Sequence, residues 1–219
     1  TGFDPFDGAQ VNPSWQAVQA LHNRQIGGRR IVAAQLPTVF GTSLRRLDTL
    51  LDQLRPELVI CVGQAGGRSA ISLERVAINV DDAPIPDNAG DQPVDTPVAA
   101  GAPAAYFSSL PIKAALAALQ REGLPAEVSQ TAGTFVCNHV FYGLMHRLAS
   151  HPGLSHTRGG FVHVPWLPEQ GAPAMALDDV VRGLRTVVRA ALSEPAVSAR
   201  PAADRAPRAG TDAPARGGS

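Results

Sequence analysis

Apolar positions along this chain recur first at helical spacing, then at strand spacing, and the two patterns keep alternating. In "VNPSWQAVQALH", Asn12 is a good N-cap, Pro13 suits a first helical turn, and Trp15, Val18 and Leu21 follow at helical intervals. "RIVAAQLPTV" predicts a strand and "TSLRRLDTLLDQL", Thr42 to Leu54, a helix. "ELVICVG" is an unbroken apolar run of strand length, the pattern of a parallel strand covered on both faces. It ends in the glycine turn "GQAGGR". "ISLERVAINV" alternates and is rich in β-branched residues, which predicts another strand. Residues 81–103 are polar and rich in Pro, Ala and Asp, and read as a long loop or flap over one edge of the domain.

Further on, "PIKAALAALQREG" predicts a helix stopped at Gly123, "AEVSQTAG" a short strand, residues 134–148 a helix following Cys137, "GFVHVPW" a strand and "LDDVVRGLRTVVRAAL" a last helix. Alternating strands and helices predict a single α/β domain over residues 1–194, a three-layer α/β/α sandwich with a mostly parallel twisted sheet. Residues 195–219 hold almost no bulky apolar side chains and are expected to be disordered. Ligand sites in such sheets lie beyond the carboxyl ends of the strands. "GQAGGR", "TAGTFVC" and "HVPWLPEQ" all occupy that kind of position.

Charge changes the picture by exclusion. Lys+Arg and Asp+Glu both number 19, so no global field draws the chain to nucleic acid or an anionic membrane. Basic charge is almost wholly arginine, with Lys113 the single lysine. Two cysteines, Cys61 and Cys137, do not make a disulfide framework at this length. With no signal-peptide pattern and no apolar run of spanning length, a cytoplasmic protein is expected.

Cys137 carries the chemistry. Free cysteine is most often buried filler. Here Gly133 and Thr134 suggest a sharp entry into a helix, where the positive dipole end and free amides favour a thiolate and offer oxyanion donors. A metal site is disfavoured, because Cys137 and His139 are two apart and do not share a helical face, and no CxxC or HxxxH pattern occurs. The same spacing turns His139 away from the thiol. His146 lies too far along the helix, His151 and His156 fall in a polar loop, and His22 ends the first helix. By elimination His163 is the candidate base, with a satisfied buried histidine as the plainer alternative. Glu74, set among apolar residues, is the candidate orienting acid. A salt bridge to Arg75 or Arg68 is its plainer alternative.

Four stretches then carry a resemblance: "TGFDPFDGAQVNPSW", "GQAGGRSAISLERVAINVDDAPIPDNAGDQPVD", "VSQTAGTFVCNHVFYGLMH" and "RGGFVHVPWLPEQ". Together they resemble pyroglutamyl-peptidase I, a cytosolic cysteine peptidase family, in collinear order from Thr1 to about Gln170. The resemblance implies a catalytic triad of Cys137 as nucleophile, His163 as base and acid and Glu74 as orienting carboxylate. It implies no metal and no cofactor. The substrates it implies are peptides with an N-terminal pyroglutamate, cleaved through a thioester. It further implies a fold similar to nucleoside phosphorylases and a homo-oligomer, tetramer or dimer. The implied substrate-binding residues are Phe3, Phe6, Gln64, Ile85, Phe135 and Val136, with Gln64 contacting the lactam. Without the motif match, Phe3, Ile85 and Val136 read as core and Gln64 as turn. A neutral lactam calls for apolar walls and a few amide-type contacts rather than a carboxylate or metal. The thiol–imidazole pair is read either as neutral or as a resting ion pair.

Three departures accompany the resemblance. The short apolar strand that precedes "TGF" in the family is missing ahead of Thr1, and its loss is expected to leave interior backbone groups unpaired. Pro84 stands where the family has an arginine. Asp7 stands where the family has a glycine, a tolerable replacement if the backbone there needs a positive φ. Two rival readings remain: a phosphorylase-like transferase with "GQAGGR" as a phosphate loop, and a catalytically weakened pyroglutamate-binding homologue.

Overall fold

The structure, a computed structural model, describes residues 1–193; the expectation for the tail lies outside them. The chain forms β1 (Gly2–Phe3), α1 (Pro13–Ala20), β2 (Gln25–Ile26), β3 (Arg29–Arg30), β4 (Gln35–Leu36), α2 (Thr42–Leu54), β5 (Leu58–Gln64), β6 (Ile71–Glu74) and β7 (Val76–Ile78). It continues with β8 (Ala105–Phe107), α3 (Ile112–Arg121), β9 (Ala126–Ser129), α4 (Val136–Ser150), β10 (Arg158–Val164) and α5 (Leu177–Ser193).

The central sheet runs β4–β1–β5–β10–β6–β9. β5, β10, β6 and β9 form one ladder, with β10–β5 and β6–β9 parallel and β10–β6 antiparallel. β1 pairs parallel with β4 and joins β5 through Thr1 N to Ile60 O at 2.8 Å and Val62 N to Thr1 O at 2.9 Å. Residues 1–3 therefore sit inside the sheet, and the backbone of Thr1 is paired.

Strand alternation divides the core. Val62, Val162, Val164, Ile71 and Leu73 face α1, α3 and α5. Val59, Cys61 and Phe161 face α2 and α4, which present Leu47, Leu51, Val140, Phe141 and Leu144. This is the expected three-layer sandwich with a mostly parallel sheet.

Two predicted strands are shorter than their apolar runs. In "RIVAAQLPTV" only Arg29–Arg30 and Gln35–Leu36 are strand, the former in a small hairpin with β2. "ISLERVAINV" breaks at Arg75, after which β7 leaves the main sheet to pair antiparallel with β8. The break is held by Arg75 N to Ser129 O and Ser108 N to Arg75 O, both 2.9 Å. Asp7 does adopt a positive φ, 52°, so the aspartate occupies the left-handed conformation that suits glycine best.

An apolar cavity of about 350 Å³ lies at the amino end of β5, lined by residues including Thr1, Ile31, Leu51, Ile60 and Leu192. The candidate chemistry is at the other end, where β5 and β10 stop.

Candidate active site

α4 starts abruptly. Gly133 has φ 78°, Phe135 is extended, and Val136 is the first helical residue, fully buried against the α2–α4 core. Cys137 is therefore in the first turn, as the sequence predicts. No side chain caps this helix, so its first amides have neither an intrahelical acceptor nor a capping oxygen. The turn is fixed from outside by a two-bond clamp: Asp82 N donates to Thr134 O at 3.0 Å, and Thr134 Oγ1 donates to Asp82 O at 2.7 Å.

The sulfur of Cys137 rests over the sheet at Gly63. A β-carbon at Gly63 would lie 2.7 Å from Sγ, a separation that side chains do not tolerate. Gly63 pairs in register with His163 on β10, and parallel register partners project to the same face. The imidazole thus stands one strand away from the sulfur, on the sulfur's side of the sheet. Phe161, two residues earlier on that face, packs its ring 4.9 Å from the His163 ring. Across the other edge of β10, Glu74 pairs with Phe161. Its Oε1 accepts a 2.8 Å hydrogen bond from His163 Nδ1, which leaves Nε2 uncommitted. Glu74 is fully buried and His163 nearly so.

The plainer alternative for Glu74 is also present. Arg68 Nη1 donates to the same Oε1 at 2.8 Å, and Nη2 reaches Thr131 O at 3.3 Å. Burial pushes the Glu74 carboxyl up, but the hydrogen bond and charge of His163, with hydrogen bonds from Ser129 and Arg68, outweigh it and leave it below the ordinary value. Burial, reinforced by the charge of Glu74, pushes the Cys137 thiol up to about 12, against a smaller downward pull from Arg68. At rest Cys137 is accordingly a neutral thiol rather than a thiolate.

Of the other five histidines, His156 is exposed and four have partners. His139 Nδ1 bonds Asp81 Oδ2 at 2.8 Å and its Nε2 accepts from Gly41 N at 2.9 Å, so it staples two loops. His146 bonds Tyr106 and caps no thiol. His22 and His151 accept from nearby backbone amides. Among the described residues no group of three His, Cys, Asp or Glu side chains is arranged to hold a metal ion.

The apolar residues around the thiol fall into two sets. Phe6 and Phe135 pack with ring centroids 5.9 Å apart, and Phe40, which sequence reasoning missed, stands edge-on to Phe135 at 5.5 Å. Phe3 and Val136 are core in the plain sense: both are buried, and Phe3 packs on Phe161. Ile85 is half-buried on the 81–103 strap, which Asn88 ties to Pro5 O at 2.8 Å. Pro84 beside it is exposed. Alternation turns the Gln64 side chain to the face opposite Gly63, so its main chain, not its side chain, adjoins the sulfur. Gly63 was also missed; a glycine near the end of an otherwise apolar strand is the signal that a close approach leaves.

A first-turn thiol over a glycine, beside an imidazole held by a buried carboxylate, defines a cysteine hydrolase on an α/β/α sandwich. The family comparison makes this specific: the pyroglutamyl peptidase model matches residues 1–194, and the chain belongs to that family. It is 61% identical over 198 residues to the pyrrolidone-carboxylate peptidase of Cupriavidus taiwanensis, covering 88% of this chain and 91% of that protein. It is 62% identical over 197 residues, with the same coverage, to pyrrolidone-carboxylate peptidase 1 of Ralstonia nicotianae. The crystal structure of pyroglutamyl peptidase I from Bacillus amyloliquefaciens superimposes with a TM-score of 0.86 at 49% identity, covering 88% of this chain and 95% of that one.

Proposed function

We propose that this chain removes N-terminal pyroglutamyl residues from peptides, with Cys137 as nucleophile, His163 as base and acid and Glu74 as orienting carboxylate. The observation that carries the assignment is the contact of the Cys137 sulfur with Gly63, in register with His163 and its 2.8 Å bond to Glu74. His163 Nε2 takes the thiol proton as sulfur adds to the pyroglutamyl carbonyl. The oxyanion is held by first-turn amides of α4. His163 returns the proton to the leaving amine, the C–N bond breaks, and a thioester remains. Water, deprotonated by His163, then releases pyroglutamate and the free thiol.

Phe6, Phe135 and Ile85 supply the apolar enclosure for the lactam, Phe3 and Val136 belong to the core, and Gln64 contributes main-chain amide contacts beside Gly63. The phosphate-loop reading of "GQAGGR" is not favoured, since the cation in that loop, Arg68, is engaged by Glu74. Cytoplasmic location is supported by the two free cysteines. Among the described residues no helix is long and apolar enough to cross a membrane. Homo-oligomer formation is supported by Val94 and Phe107, 72% and 71% exposed, apolar surface that a second subunit would cover.

The test is release of fluorophore from a pyroglutamyl-coumarin amide by the reduced chain. Turnover abolished by Cys137→Ala and by iodoacetamide is expected. Folded, reduced protein without turnover but with pyroglutamate binding would favour the weakened homologue instead.

A further inference from the structure

Arg68 touches neither the sulfur nor the imidazole, yet it binds what holds each of them. It sits in the turn after β5, just past Gly63 and Gln64. One nitrogen, Nη1, donates to Glu74 Oε1, the oxygen that also holds His163. The other, Nη2, donates to the carbonyl of Thr131, in the turn that delivers Cys137 into α4. That turn is braced by Ser129 Oγ on Thr131 O at 2.9 Å and Gly133 N on Thr131 Oγ1 at 3.0 Å. A single guanidinium therefore links the turn after β5, the carboxylate on β6 and the entry to the nucleophile helix.

We propose that Arg68 is a positioning residue of the thiol mechanism: its planar fork fixes the Glu74 carboxylate and registers the imidazole against the Cys137 turn. The inference rests on the proposed function and adds a fourth member to its relay. Two physical requirements favour it. A carboxylate with 0% exposure needs a compensating charge, and the Arg68 guanidinium supplies a permanent one at 2.8 Å. A carboxylate oxygen that accepts two bonds has its rotamer fixed, and with it the tautomer and tilt of His163. Only arginine offers two donors in a rigid fork; lysine supplies the charge without the second arm.

The titratable and charged groups around Glu74 are Arg68, His163 on β10 and Cys137 on α4. Cys61 lies further down β5, Arg75 is turned to Gln130, and Glu127 of β9 bonds Ser72. Removing Arg68 should let Glu74 take a proton at higher pH and should raise the thiol further. The acid limb of kcat/KM then moves to higher pH, and alkylation of Cys137 by iodoacetamide at pH 8 slows.

The experiment compares Arg68→Gln, Arg68→Lys, Glu74→Gln and the Arg68→Gln/Glu74→Gln double variant on the fluorogenic substrate, with folding checked by thermal unfolding. Arg68→Gln is expected to lose kcat by about 10²-fold with KM changed by less than about threefold, with both pH shifts. Arg68→Lys is expected to restore the pH profile and only part of kcat. In the Glu74→Gln background, adding Arg68→Gln is expected to cost less than about threefold more, because Arg68 acts through Glu74. Unchanged kcat and pH profile in folded Arg68→Gln, or full additivity in the double variant, overturns the proposal. If Arg68→Gln does not fold, the Arg68→Lys profile decides: a limb displaced as far as in Glu74→Gln overturns it as well. Wild-type turnover abolished by Cys137→Ala separates failure of this inference from failure of the thiol mechanism.

Discussion

Gly63→Ala is the smallest change that tests the geometry of the site. The added β-carbon would lie 2.7 Å from the Cys137 sulfur and 3.0 and 3.1 Å from Cζ and Cε1 of Phe161. Carbon contacts are comfortable at about 3.5–4.0 Å, so the sulfur must retreat by roughly 1 Å and the Phe161 ring by roughly half that. Neither neighbour has free space: Phe161 is fully buried between Phe3 and Phe141, and Cys137 is fixed in the first turn of α4. Overpacking of this kind costs about 1–3 kcal/mol, which for a chain of this size lowers the melting temperature by about 2–4 °C per kcal/mol. The kinetic effect is larger, because a 1 Å displacement of a nucleophile costs about 10²-fold in rate. The assay is kcat/KM on the pyroglutamyl-coumarin amide together with thermal unfolding. Adding Phe161→Leu relieves the ring contact but not the sulfur contact, so the double variant should recover stability without recovering kcat. Gly63→Ala with wild-type melting temperature and kcat/KM within about threefold of wild type would refute the placement of the sulfur over Gly63.

Two further predictions follow from the same site. Burial holds the Cys137 thiol at about 12, so inactivation of the free enzyme by iodoacetamide should accelerate with pH through 9 and beyond, with no plateau near neutrality. A plateau below pH 7 would mean a resting thiolate–imidazolium pair. His139→Asn should behave as a structural lesion: loss of the bonds to Asp81 and Gly41 leaves a buried carboxylate short of a partner and should cost about 1–3 kcal/mol of stability. Measured per folded molecule, kcat should fall less than about tenfold, against complete loss for His163→Ala. Equal losses for both would remove the distinction between the two histidines.

What the sequence made legible was what local pattern determines. The helix period of Thr42–Leu54, the apolar run around Cys61 and the glycine before the Cys137 helix each specify their own element, and all three stand where expected. His139 was set aside by helix geometry alone, and the structure gives it two partners that keep it from the thiol. Strand lengths were not legible in the same way. Whether "RIVAAQLPTV" pairs throughout depends on the neighbouring strand, and β1 is only two residues long. Most of all, the choice between triad acid and salt bridge for Glu74 was posed as exclusive. Sequence spacing cannot reveal that one oxygen serves both partners, because Arg68, Glu74 and His163 meet only through the register of β10 on β6. Phe40 stayed hidden for the same reason, joining Phe135 only through tertiary packing.

The electrostatics of the site account for its selectivity as well as its chemistry. Near the sulfur, Arg68 and Glu74 form an ion pair across 2.8 Å. Cys137 itself is a neutral thiol. In the proposed site a lactam meets no uncompensated charge, whereas an ammonium of an ordinary peptide N-terminus would have to shed water beside a carboxylate already paired with Arg68. In the proposed mechanism the proton moves to His163 as sulfur attacks, and a cation forms beside Glu74. The carboxylate, already bonded by Arg68, then faces two cations. Attraction for an imidazolium that strengthens as the proposed transition state forms is the condition for an interaction to lower the barrier rather than merely tighten binding.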